Sequence, residues 1–156
     1  MKAVIQRVTD AQVAVDGNVI GKINCGFMIL LGVCDTDTEQ ECKLLSDKIA
    51  KLRVFTDEND KMNLSLLDFQ NTEEPYSVLV ISQFTLCANT RRGNRPDFFG
   101  AARPEKAIEL YELFMKNLEN DYGIHVEHGE FGADMKVSLL NDGPVTIILD
   151  TDDWKK

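Results

Sequence analysis

The run KAVIQRVTDAQVAVDGNVIGKI, residues 2 to 23, sets the architecture. Residues 2–9 and 12–15 carry the β-branched, alternating pattern of a half-buried strand, and Asp16-Gly17 between apolar segments is a two-residue hairpin signal. Val19 to Ile23 is therefore expected to pair back on the first strand. Phe27 to Val33 follows as an apolar run of the length of a fully buried strand. These segments predict a β-meander.

Cys42, Leu45, Ile49 and Leu52 share one stripe at helical spacing, which predicts an amphipathic helix over 38–52 with Asp37 or Thr38 as its cap. A short strand near 53–55, a turn at 57–61 and a strand from Tyr76 to Phe84 come next. Pro104 suits the first turn of a second helix that runs to about Asp121, with Ala107, Leu110, Leu113, Phe114 and Leu118 inward. Three strands are expected after it, at 124–130, 135–141 and 145–150, the last two around an Asp142-Gly143 hairpin signal. The fold class is α+β: a mostly antiparallel sheet with a barrel-like core and two main helices, in a single domain over residues 1–156.

The chain has 156 residues, enough to bury roughly 70% of its unfolded surface without staples. Its longest apolar stretch, Phe27 to Val33, is far too short for a membrane span, and neither a membrane nor a targeting segment is expected. A net charge of -9 argues against a protein that coats nucleic acid nonspecifically. Cys25, Cys34, Cys42 and Cys87 lack CxxC spacing, so they read as free thiols of a reducing compartment. His125 and His128 fall on opposite faces of a strand and lack a third ligand at metal spacing, so no metal or other cofactor is expected.

Two stretches ask for more than a structural reading. In VLVISQFTLCANT, residues 78 to 90, a buried strand runs into Ser82, Gln83 and Thr85 around Phe84, with no Gly or Pro to close it. The loop that follows, CANTRRGNRPDFFGAARP, carries Arg91, Arg92, Arg95 and Arg103 beside Phe98 and Phe99. Basic side chains interleaved with aromatics can hold phosphates and stack a base; a solvated loop whose phenylalanines plug the core is the structural alternative. In NDGPVTIILD, residues 141 to 150, Pro144 removes an N–H that a strand would use. Either Pro144 sits near a turn corner, or Gly143-Pro144 is cis and displays two bare carbonyls that could accept hydrogen bonds from an ammonium group.

Ser82-Gln83-Phe84-Thr85-Leu86 with Ala88, together with Asn141-Asp142-Gly143-Pro144-Val145-Thr146, resembles the paired signature of the D-aminoacyl-tRNA deacylases. The resemblance covers nearly the whole chain, from KAVIQRV at residues 2 to 8, through FGADMKVSLLNDGPVT at 131 to 146, to about Asp150. It implies a cytoplasmic homodimer with a cross-subunit site, the Ser82 to Leu86 motif of one chain facing a cis Gly143-Pro144 turn of the other. Catalytic positions would be Ser82, Gln83, Phe84 and Thr85. Gly143, Pro144, Val145, Thr146, Arg7 and Met135 would bind substrate, and Arg7 would buttress the turn; an edge-strand surface charge is the plain alternative for that residue. Arg91, Arg92, Arg95, Phe98 and Arg103 would contact tRNA, although Asp97 stands where the family often has a small hydroxyl residue.

The implied partner is an aminoacylated tRNA ending in its 3′ terminal adenosine, and the implied reaction is hydrolysis of the ester of a D-amino acid or glycine, sparing the L-form. The tetrahedral oxyanion needs donors, which backbone N–H groups of Phe84 and Thr85 and the Thr85 hydroxyl can provide. Ser82 is expected to fix the motif's backbone, since it lacks the GxSxG elbow of an exposed nucleophile. Two rival classes remain: a Cys/His hydrolase using Cys87 with His125 or His128, and a non-catalytic dimeric tRNA-binding module.

Overall fold

The computed structural model describes residues 1–155. Its spine is β1 (Lys2–Val15), whose residues 11–15 pair antiparallel with β2 (Asn18–Ile23) across the Asp16-Gly17 turn. Residues 2–8 of β1 pair antiparallel with β3 (Gly26–Gly32). β2 and β3 thus share β1 instead of each other, and the expected meander does not form. The reason is length: β2 is too short to satisfy the whole edge of β1, and unpaired ladder groups of a buried strand must find partners.

Between β3 and the rest of the sheet come α1 (Glu39–Ala50) and a small hairpin of β4 (Phe55–Thr56) with β5 (Met62–Leu64). Strand β6 (Ser77–Ser82) then pairs parallel with β3. After α2 (Pro104–Tyr122), β7 (Val126–His128) pairs parallel with β6. Last, β8 (Met135–Asp150) runs antiparallel to β1 over its whole length. The two segments expected to form a hairpin, 135–141 and 145–150, point the same way along β1, so Asp142-Gly143 reverses nothing. Antiparallel pairs predominate, and the sheet curls until β2 lies against β7.

Both faces of the central strands are covered, which explains why β3 and β6 read as unbroken apolar runs. Phe27, Ile29, Leu31, Val78 and Val80 face the helices, where they meet Leu45, Ile49, Leu110, Phe114 and Leu118. Met28, Leu79 and Ile81 face the other way and share a second cluster with Val13 and Ile23 inside the curl. Thr38 is the cap of α1: its hydroxyl accepts from the Gln40 N–H, and the Glu41 carboxylate returns to the Thr38 N–H at 2.8 Å. That hydrogen bonding to Thr38 holds the Glu41 carboxyl well below its usual range, at about 2. Among the described residues no helix is long and apolar enough to cross a membrane.

Gly26 opens β3 at φ +146, and a Cβ placed there would stand 1.8 Å from the Ser77 carbonyl oxygen. The β3 and β6 backbones meet at that point, so Gly26→Ala is expected to destabilise the fold by about 3 kcal/mol or more. Thermal unfolding of the variant should show a midpoint lowered by roughly 6–12 °C.

Candidate functional site

The ladder between β3 and β6 ends at Ser82, and its last bond is the Gln83 N–H donating to the Leu31 carbonyl at 2.8 Å. The strand expected to reach Phe84 therefore stops two residues earlier, and residues Phe84–Cys87 tighten into a 3-10 turn. Leu86 N–H returns to Gln83 O at 3.3 Å and Ala88 N–H to Thr85 O at 3.1 Å. Among the described residues no acceptor meets the N–H of Phe84 or Thr85, the first two amides of the turn. Thr85 is exposed, and its hydroxyl accepts from the Gln83 side-chain amide at 2.6 Å. Accepting that bond leaves the Thr85 O–H available to donate. No hydrogen bond ties the Ser82 hydroxyl to its own backbone, contrary to its expected supporting role; Ser82 lines a cavity instead.

That cavity, of about 290 Å³, is walled by Ser82, Gln83, Phe84, Tyr111, Phe131 and Met135. Met135 thus belongs with the Ser82 to Thr85 stretch and not with Gly143. Tyr111 donates its hydroxyl to the Val80 carbonyl at 2.9 Å and burial pushes its phenol up, so it is a fixed wall and no base. Phe131 packs edge-on against it at 5.9 Å. Neither aromatic was singled out from sequence, although Tyr111 sits on the inner stripe of α2 with Ala107, Phe114 and Leu118. Cys87 has Cys34 Sγ at 2.8 Å and the Val33 carbonyl at 3.5 Å as partners. His125 pairs with Glu127 and His128 with the Gly129 carbonyl, so no Cys/His pair is formed.

The second stretch is a bulge in β8. Asn141 pairs with Val8 and Thr146 with Gln6, which leaves residues 142–145 opposite Arg7 alone. Four residues facing one must leave the sheet plane, and Gly143, at φ +121 with a cis bond to Pro144, carries them out. Asn141 fastens the base of the bulge: its Oδ1 accepts from Val145 N–H at 3.3 Å and its Nδ2 donates to Thr146 Oγ1 at 3.0 Å. Arg7 is no surface charge. Its side chain is only 11% exposed, with Nη1 on the Val54 carbonyl at 2.7 Å and Nε on the Asp142 carbonyl at 3.2 Å and carboxylate at 3.1 Å. A Cβ on Gly143 would lie 3.0 Å from Arg7 Nη2 and 2.9 Å from Val145 Cγ2. Gly143, Pro144 and Thr146 are exposed and Val145 is half-buried.

Within one chain the two stretches do not meet. The bulge lies level with Phe27 of β3, whereas Ser82 lies level with Leu31, and three strand spacings separate β8 from β6. On an uncurled sheet that amounts to roughly 20 Å.

The basic loop does reach the first stretch. Asn89 and Asp97 form an antiparallel bridge, their backbone bonds 2.8 and 3.1 Å long, and the Asp97 carboxylate accepts from Asn89 Nδ2. Asp97 thereby fastens the loop's base, while Arg91, Arg92 and Arg95 project from it exposed, as does Arg103 ahead of α2. None of these four guanidinium groups has an ion-pair partner among the described residues. The phenylalanines do not plug the core: Phe98 packs edge-on against Phe84 at 5.1 Å, and Phe99 is 92% exposed.

A family model described as D-Tyr-tRNA(Tyr) deacylase matches residues 4–150, which include both stretches. The D-aminoacyl-tRNA deacylase of Lactobacillus acidophilus is 55% identical over 150 residues, covering 96% of this chain and 99% of its own. That of Thermosipho melanesiensis is 52% identical over 151 residues, covering 97% of each chain. Among solved structures, the c-Myc DNA Unwinding Element Binding Protein overlays 96% of this chain and 98% of its own with a TM-score of 0.88 at 43% identity. A probable eukaryotic D-amino acid tRNA deacylase overlays 95% of this chain and 97% of its own with a TM-score of 0.80 at 14% identity, a likeness of fold alone.

Replacing Arg7 tests the bulge directly. Arg7→Met leaves the Val54 and Asp142 carbonyls without their donor and is expected to lower stability by about 2 kcal/mol in a denaturant titration. Amide exchange at Val145 should quicken in the same variant. Arg7→Lys should not restore the slow exchange, because one ammonium cannot reproduce the spread of the guanidinium fork.

Proposed function

The chain belongs to the D-Tyr-tRNA(Tyr) deacylase family, and from that premise we propose that it hydrolyses the ester joining a D-amino acid to tRNA, a proofreading activity that spares the L-form. The observation that carries the reading in this molecule is the end of β6: two unpartnered amides and the Thr85 hydroxyl stand together beside an apolar-walled cavity. Donors fixed where negative charge develops are what ester hydrolysis requires, and removing one raises a barrier by about 2.7–4 kcal/mol.

The active unit is a homodimer in which the 142–145 bulge of one protomer faces the 82–87 segment of its partner. Two features support this. Along the sheet the two stretches lie at different levels and three strand spacings apart, and among the described residues β8 pairs on one edge only while Leu140 and Ile148 stand 58% and 75% exposed along it. The cavity walled by Tyr111, Phe131 and Met135 takes the 3′ terminal adenosine, with Gln83 orienting the ribose. Arg91, Arg92, Arg95 and Arg103 hold phosphates of the RNA near its end, with Phe98 at the base of the loop. Four cysteines without a disulfide suit a cytoplasmic protein.

Chirality is selected by exclusion. Carbonyls of the partner's Gly143-Pro144 bulge receive the α-ammonium, so the bond from Cα that points at the bulge has room for hydrogen only. An L-residue would place its side chain there. A D-residue turns it outward, and glycine passes because it has none. Among the described residues the hydrogen-bond partner of the Thr85 hydroxyl is the Gln83 side-chain amide, which is no base, and this argues against a covalent intermediate. The neighbouring 2′-hydroxyl of the terminal ribose assists the attacking water, while the turn stabilises the oxyanion.

One tRNA charged with D-tyrosine, L-tyrosine or glycine should lose the first and third esters and keep the second. Gly143→Ala should reduce D-tyrosine release by at least a hundredfold, because the added methyl crowds Arg7 and Val145 and occupies the face where only hydrogen fits. Uniform cleavage of all three esters by the unsubstituted protein would remove the chiral filter from the reading, and cleavage of none would favour a binding module. A second comparison separates the routes of attack: Thr85→Ala should retain measurable turnover, whereas tRNA with a 2′-deoxy terminal ribose should not be cleaved. The opposite pattern would make Thr85 a nucleophile.

A further inference from the structure

Of the four cysteines, two lie against each other at the edge of the site. Cys34 follows β3 and Cys87 closes the 84–87 turn; 53 residues apart in sequence, their sulfurs are 2.8 Å apart. Cys42, by contrast, is wholly buried, donates to the Leu110 carbonyl, and has its thiol pushed up to about 12 by burial. Cys34 is half-buried and so open to a small oxidant, and neither Cys34 nor Cys87 is locked into a long strand: each is held by a short turn or bridge. The hydrogen bond from Cys34 draws the Cys87 thiol below its ordinary value against burial and the Asp37 carboxylate, while the same contact pushes the Cys34 thiol up.

We infer that Cys34 and Cys87 form a reversible thiol–disulfide site, oxidised by hydrogen peroxide, that sets the geometry of the 84–87 turn and thereby the rate of the reaction. The chemistry balances with peroxide as the sole oxidant. One thiolate attacks a peroxide oxygen, the O–O bond breaks and, with proton transfer, water leaves, giving a sulfenic acid. The neighbouring sulfur attacks that sulfenic sulfur, the S–O bond breaks, and the second thiol's proton leaves with hydroxide as a second water. Two thiols and one peroxide thus become one disulfide and two waters. A disulfide requires the sulfurs to close to about 2.05 Å. The turn has little slack for that movement: a Cβ on Gly32 would already lie 2.9 Å from Leu86 Cβ and 3.0 Å from the Gln83 carbonyl. The adjustment falls on the segment carrying the Phe84 and Thr85 amides, where displacement of about 1 Å can cost on the order of a hundredfold in rate.

This inference rests on the deacylase reading for its activity readout but not for its covalent one. The purified protein, treated with one equivalent of hydrogen peroxide and digested without reductant, should yield a Cys34–Cys87 linked peptide. Its deacylation of D-tyrosyl-tRNA should fall at least tenfold and return with dithiothreitol. Cys34→Ala and Cys34→Ser should each turn over at the unoxidised rate, give no linked peptide, and lose the dithiothreitol-reversible inhibition. Independent oxidation of the two sulfurs to sulfinic acids, or a linked peptide with unchanged turnover, overturns the inference. If the reduced protein cleaves no aminoacyl-tRNA, the deacylase reading has failed by itself. The redox site is then judged by the linked peptide together with movement of the Phe84 and Thr85 amide resonances on oxidation, and absence of either refutes it.

Discussion

Strand β1 has to satisfy three partners, and one guanidinium on it sets where the regular pairing must give way. β3 and then β2 take successive halves of β1, while β8 accompanies it over its full length. Opposite Arg7 the register between β1 and β8 breaks, because 142–145 supply four residues where the ladder has room for one. Pro144 has no N–H to contribute, so the surplus leaves the sheet, and the Arg7 fork, wedged between the Val54 and Asp142 carbonyls, defines how it leaves. A buried guanidinium is tolerable only when its hydrogen bonds are satisfied, so bulge and arginine require each other.

The other candidate segment arises from a similar termination of pairing. β6 loses its partner at Ser82, and the chain does not continue as strand but winds into a 3-10 turn, leaving the first amides free. Both candidate segments are thus places where backbone groups released from a ladder are held by neighbours: Gln83 for one, Asn141 and Arg7 for the other. Rigid backbone donors and acceptors need no reorganisation when charge develops beside them.

The legibility of this molecule in its sequence followed the range of the interactions. Periodicity gave both helices, the first with Asp37 or Thr38 as its cap, of which Thr38 is the one used, and the second with Pro104 at its start, and the Asp16-Gly17 turn, because these depend on neighbours within a few residues. The motifs around Ser82 and Gly143 stood out because they broke local rules. Nonlocal pairing was misread: β3 joins β1 and not β2, and Asp142-Gly143 is a bulge apex and not a hairpin corner, since the partner in each case lies far along the chain. Tyr111 and Phe131 were passed over because an inward aromatic looks the same in sequence whether it faces core or cavity. Phe98 and Phe99 were ambiguous for the same reason, and the Phe84 ring decides the matter by packing on Phe98.

The division of labour between the two segments also bears on why a filter and a catalyst would sit on different protomers. In the proposed arrangement the 82–87 segment must approach every ester alike, whereas the bulge must discriminate by contact with Cα. Along an uncurled sheet the two would stand roughly 20 Å apart. A second copy would place one against the other without any change in either, along β8, whose exposed Leu140 and Ile148 and free edge have no partner among the described residues. The bulge is part of β8, so the surface that joins the protomers would also carry the filter. Docking and discrimination would then be fixed by the same register, and a shift of the interface that misplaced the bulge would impair selection together with assembly.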